Sequence, residues 1–180
     1  MNNENSNKVE EFEEIVDEVE DVTDIKNDIL RYTTNKLSYW LCILAIVFNV
    51  ANFLICYKIN SAASATDKIA NFLLGLDLLV NVILIIVFFL LAEKTKAYKK
   101  EASYVCIGLA VVEVARIFII PLNYYLAYVE TGSYGLDLAG FIWCIALLIL
   151  AAASLVGAAL INLKKYNTLQ DHLKKIGESK

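Results

Sequence analysis

An all-helical, multi-pass membrane protein is the fold class that three observations predict. Of the 180 residues 58 % are apolar, the mean hydropathy is +0.56, and the apolar residues gather in four blocks of about 20 or more, the length that crosses a bilayer core. A soluble domain would carry roughly 45–50 % apolar residues. Backbone groups in lipid must be satisfied within their own segment, so each block is predicted to be a helix. The four are expected to pack as a bundle, with an acidic arm before it and a basic tail after it.

The arm covers residues 1–36. Between Met1 and Leu30 eleven acids face only Lys8 and Lys26, a net charge of −9 that leaves the remaining 150 residues at +5. No basic n-region precedes an early apolar run, so this opening does not read as a secretory signal. Phe12, Ile15, Val19, Val22 and Ile29 recur at a/d-like spacing, interrupted by Lys26. Two readings stay open: a solvated, partly disordered arm, and an amphipathic helix that folds on a partner's basic groove through Phe12, Ile15, Val19 and Val22. Acids on its polar face repel anionic headgroups, which argues against a helix lying on lipid.

Spans are predicted over residues 37–57, 69–92, 103–129 and 136–163. Lys94, Lys96, Lys99 and Lys100 crowd the link between the second and third, whereas the link between the third and fourth has no base. Further bases lie before the first span (Arg31, Lys36) and in the tail, residues 164–180 (Lys164, Lys165, Lys174, Lys175, Lys180). The positive-inside bias therefore predicts both termini and the Lys94 link in the cytoplasm, in a plasma or bacterial inner membrane. Tyr39, Trp40, Tyr57, Tyr104, Tyr124, Tyr125 and Tyr128 fall where interfacial aromatic belts form.

Ionisable groups at mid-bilayer cost roughly 2.5–3.5 kcal/mol each on insertion scales, which singles out Asp77, Glu113 and Arg116. Asp77 and Asn81 are one turn apart, Glu113 and Arg116 are i,i+3, and counting residues from the outer ends puts Asp77 about eight down, Asn81 about twelve, Arg116 about thirteen, Glu113 about sixteen and Asn49 about eight. A buried cluster of Asp77, Asn81, Glu113 and Arg116 is expected, with Asn49 as a candidate fifth member. With two acids to one base, it reads either as a polar clasp fixing helix register or as a proton, cation or small-solute site. Pro121 removes the amide bond to the Ile117 carbonyl and is expected to kink the third span. In the fourth, Ala153-x-x-x-Gly157 and Ser154-x-x-x-Ala158 offer a small face for close helix packing, within the bundle or between copies.

Other chemistry is poorly served. The one histidine, His172, lies outside every apolar block, which excludes paired-histidine metal sites and an intramembrane histidine dyad. No phosphate-binding glycine loop or G-x-S-x-G elbow is present. Cys42, Cys56, Cys106 and Cys144 are scattered without a C-x-x-C pair and read as packing residues; Cys56 and Cys144 share the outer half at different counted depths, so no disulfide is expected. No metal, cofactor or nucleic-acid partner is expected. The leading expectation is a non-enzymatic accessory or regulatory subunit, with lipid and a protein partner or second copy as its contacts. The rival is a small transporter or channel that works through the Asp77, Glu113 and Arg116 groups. The basic patches suit anionic lipid and are also opposite in charge to the chain's own arm.

Overall fold

The computed structural model describes Ile25, Ile29, residues 33–63, 68–132 and 135–175, and Gly177; side chains are described there except at 58–63, 68–74, 76, 77 and 131. The described elements are all helical: α1 (Lys36–Ala63), α2 (Lys68–Lys96), α3 (Lys100–Ile119), α4 (Pro121–Thr131) and α5 (Leu138–Lys175). Four stretches are long and apolar enough to cross a membrane, namely Lys36–Tyr57, Leu78–Lys96, Lys100–Glu130 and Leu138–Lys175. By contact the chain divides into two units, residues 35–163 and residues 1–34 with 164–180.

Within the first unit many large apolar residues lie on the outside, while the inside mixes small and polar residues with leucines and Phe88. Buried positions on α1 are Ser38, Cys42, Ala45, Asn49, Asn52 and Cys56, and on α5 they include Cys144, Leu148, Ala151, Leu155, Ala158 and Asn162. Both series alternate steps of three and four residues, which keeps one stripe of a helix facing its neighbours. Small and polar side chains dominate the α1 stripe, while Val111, Phe118 and Trp143 on the outer faces are about two-thirds exposed (65 %, 66 % and 65 %). Large apolar groups turned outward are at no disadvantage in lipid, and small residues turned inward let backbones approach.

Helix α1 packs along α2, α2 meets α3, and α3 meets α4. Helix α5 is joined to α1 through Ser38 Oγ, which donates to the Ala158 carbonyl at 3.0 Å. The α2–α3 connection is only Ala97–Lys99, shorter than the link the lysines suggested, because both helices continue through charged residues. It closes as a Schellman turn: the Lys99 amide donates to the Lys94 carbonyl (3.3 Å), the Tyr98 amide to that of Thr95 (3.2 Å), and Tyr98 takes the left-handed position with φ 53°.

Two boundaries differ from the sequence expectation. The third span is divided at Pro121: Ile120 (φ −103°, ψ −69°) joins α3 to α4, its amide donating to the Arg116 carbonyl (3.0 Å) and its carbonyl accepting from the Tyr124 amide (3.2 Å), and Pro121 takes a first-turn position of α4, where a missing amide is tolerated. The last helix does not stop with its apolar block near Leu163 but runs on to Lys175. Polar residues end contact with lipid without ending a helix, and this segment has no proline or glycine between Ile161 and Lys175 to break it. His172, expected in a solvated tail, is buried at 4 % exposure.

Between α4 and α5 the chain reverses on two positive-φ glycines. Gly132 (φ 68°) caps α4, and Asp137 Oδ1 accepts from the Gly140 amide (2.8 Å) at the start of α5. Gly135 has φ 124°, and a Cβ there would run into the Tyr124 carbonyl oxygen and lie 2.9 Å from the Tyr128 amide nitrogen. Gly135→Ala is therefore expected to destabilise the protein by about 1–3 kcal/mol. A clear drop in the thermal unfolding midpoint in detergent checks this, and an unchanged midpoint refutes it.

Candidate functional site: a buried ion pair among asparagines

On α3, Glu113 and Arg116 stand i,i+3 and face inward, at 0 % and 6 % exposure. Their closest approach is 3.0 Å, from Arg116 Nη1 to Glu113 Oε2, with Oε1 at 3.2 Å. A bare ion pair in lipid would leave most of its donors and acceptors empty, and two asparagines fill them. Asn49 on α1 donates from Nδ2 to Glu113 Oε1 (2.5 Å) and accepts at Oδ1 from Arg116 Nη1 (3.1 Å). Asn81 on α2 accepts at Oδ1 from Arg116 Nη2 (2.8 Å). An amide side chain presents a donor and an acceptor on separate atoms without adding charge, which suits Asn49 to bridge a carboxylate and a guanidinium.

The cluster thus joins three helices and closes its own charge, one acid to one base among the described side chains. Asn49, Asn81, Glu113 and Arg116 come together; Asp77 lies on α2 one turn before Asn81, with its side chain outside the described residues. Two buried polar atoms nearby have no partner among the described residues, Arg116 Nε and Asn52 Oδ1.

A second buried polar network lies at the Lys94 end, and sequence reasoning missed it. Asn35 Nδ2 donates to Ser38 Oγ (2.7 Å) and to Asn162 Oδ1 (3.2 Å). Asn162 Nδ2 donates in turn to Ser103 Oγ (2.7 Å) and the Lys99 carbonyl (2.9 Å), and the Asn35 amide donates to the Lys96 carbonyl (3.0 Å). Thr95 Oγ1 donates to the Ala92 carbonyl (2.8 Å). The available signal was the three-and-four spacing, which puts Ser38 on the stripe of Asn49 and Asn52.

The remaining sequence-derived residues fall as follows. Ser154 and Ala158 are buried, Gly157 is half-buried, and Ala153 is exposed. A Cβ on Gly157 would meet Leu41 Cδ1 at 3.5 Å, and Ser154 Oγ donates back to the Leu150 carbonyl of its own helix (2.8 Å). Phe12, Ile15, Val19 and Val22 lie outside the described residues. The thiols of Cys56 and Cys144 lie 3.7 Å apart, level with each other although the counted depths differ. The count ended the first span at Tyr57, but α1 runs to Ala63, so both cysteines sit about two turns from a helix end. At that separation they are thiols, not a disulfide. Among the described residues no three His, Cys, Asp or Glu side chains converge as a metal-binding group.

Comparison with protein-family models, with curated proteins and with solved structures found no match to this chain. The chemistry of the site therefore rests on its own geometry. Breaking a buried pair by removing one partner costs about 3–5 kcal/mol, whereas replacing both by apolar groups of similar size is often near neutral. Arg116→Leu is expected to lose stability on that scale, and Arg116→Leu with Glu113→Leu to recover most of it. A double-mutant cycle by denaturant unfolding in mixed micelles measures the coupling; additive losses would contradict the pairing.

Proposed function

We propose that this chain is a non-enzymatic multi-pass membrane protein, a four-helix bundle with both termini and the Lys94 turn on the cytoplasmic side, that serves as an accessory or regulatory subunit. The observation that carries this reading is the closed charge of the Glu113 and Arg116 pair. Both carboxylate oxygens are engaged by Arg116, and Asn49 bonds to both partners. Charges occupied by each other and by helix-borne amides suit a clasp that holds α1, α2 and α3 in register.

With the interior committed to packing, the parts left to act are outside it. The arm carries −9 over its first 30 residues with apolar groups at helical spacing, a pattern suited to a basic, apolar-edged partner groove. The groove beside exposed Ala153, lined also by Val111, Val114, Ile149 and Val156, is apolar and lies between α3 and α5, where lipid or another helix can pack. The orientation is supported by Lys94, Lys96, Lys99 and Lys100 at one end and by the base-free link at the other.

One observation favours the transporter reading: Arg116 Nε and Asn52 Oδ1 are buried without described partners, and such atoms commonly hold water or a polar ligand. Two variants separate the readings. Removal of residues 2–30 is expected to release a partner that co-purifies stoichiometrically with the full chain in mild detergent. Glu113→Gln is expected to leave that partner bound. Proton or solute flux in proteoliposomes that survives the deletion and vanishes with Glu113→Gln would reverse the assignment.

A further inference from the structure

At the Lys94 end, α2 and α3 enclose a cleft of about 230 Å3 whose lining changes character along its length. Val87, Leu90, Leu91 and Val105 form the part toward the middle of the helices, and Lys94, Lys99 and Glu101 form the mouth. On α2 the positions 87, 90, 91 and 94 share one face, so a lysine sits directly above an apolar wall. Sites that enclose a whole small molecule run to roughly 300–1,000 Å3. A smaller, open cleft with a charged end and an apolar end suits part of an amphiphile, the rest of which lies in the bilayer.

The four lysines of this corner are not equivalent. Lys96 is within 3.7 Å of Glu93 and lies over the Tyr39 ring at 5.3 Å, while Lys100 lies over the Tyr104 ring at 5.9 Å. The two without an ion pair or ring contact among the described residues are Lys94 and Lys99, the two that line the cleft. Their backbones are joined by the Lys99 amide to Lys94 carbonyl bond of 3.3 Å. The turn is held from outside by Asn162 at the Lys99 carbonyl and by Asn35 at the Lys96 carbonyl. Two unpaired ammonium groups on a fixed turn form a preorganised anion mouth, which Glu101 partly opposes.

We propose that this cleft binds one anionic phospholipid, its phosphodiester between Lys94 and Lys99 and an acyl chain against Val87, Leu90 and Val105. Charge at the mouth and apolar walls behind it select a lipid over a soluble phosphate, and the negative charge selects it over zwitterionic lipid. The cellular leaflet involved rests on the orientation proposed above; the site itself does not.

Native mass spectrometry of the full chain in detergent, titrated with phosphatidylglycerol or phosphatidylcholine, tests this without reference to orientation. One phosphatidylglycerol is expected to bind in preference to phosphatidylcholine. Lys94→Gln with Lys99→Gln is expected to weaken it roughly 25-fold, about fivefold per lysine. Glu101→Gln should tighten it, a gain that misfolding cannot imitate, and Lys164→Gln with Lys165→Gln should leave it unchanged. Equal binding of the two lipids, an unaffected double variant, or displacement by inorganic phosphate at equal concentration would overturn the proposal.

Discussion

Arg116 cannot be left alone in a bilayer, and much of the interior is arranged around that constraint. Its guanidinium has five donors and no means of shedding charge, so the surroundings must supply a counter-charge and acceptors. Glu113, one turn back on the same helix, supplies the charge, and Asn49 and Asn81 supply acceptors from two other helices. Because the acceptors come from α1 and α2, neutralising the arginine fixes where those helices stand along α3. A slide of one turn, about 5.4 Å, would break every cross-helix bond of the cluster at once.

Apolar contact provides little of this specificity, since lipid solvates leucine as well as a neighbouring helix does. The inner stripe of α1 is accordingly small and polar, and register is fixed at two levels. The Arg116 cluster sets one. The Asn35, Asn162 and Ser103 network sets the other, joining α1, α3 and α5 at the Lys94 end. That second network also bonds to the carbonyls on either side of Tyr98, so hydrogen bonds at the helix ends position the basic mouth of the lipid cleft.

How much of this was legible in sequence follows from what each residue costs in lipid. Glu113, Arg116, Asn49 and Asn81 stand out because a polar side chain deep in an apolar block demands a reason; counting turns put Asn81, Arg116 and Glu113 near one depth, whereas Asn49 was counted shallower because the count ended at Tyr57 and α1 runs to Ala63. Asn35, Thr95, Ser103 and Asn162 stand at the margins of the blocks, where neutral polar residues are ordinary, so hydropathy gave no cue to their mutual bonds. The same limit explains the boundaries. Hydropathy marks where lipid ends, and α1 and α5 both continue past that point on backbone hydrogen bonding alone, which is why Cys56 and Cys144 turn out level. At Pro121 the sequence showed the missing amide, and the structure interrupts the helix there for the one residue Ile120, whose distorted but right-handed backbone passes the chain on to α4.

The direct test of the account is whether Arg116 contacts both asparagines in a bilayer. Solid-state NMR on the full chain in lipid, with labelled arginine and asparagine, measures couplings between the guanidinium nitrogens and asparagine side-chain carbonyl carbons. Asn49→Ala and Asn81→Ala variants assign them. The account predicts two short-range couplings, each lost in one variant. Absence of either coupling in the native chain would contradict a clasp that holds three helices, and absence of both would leave Arg116 paired on its own helix only.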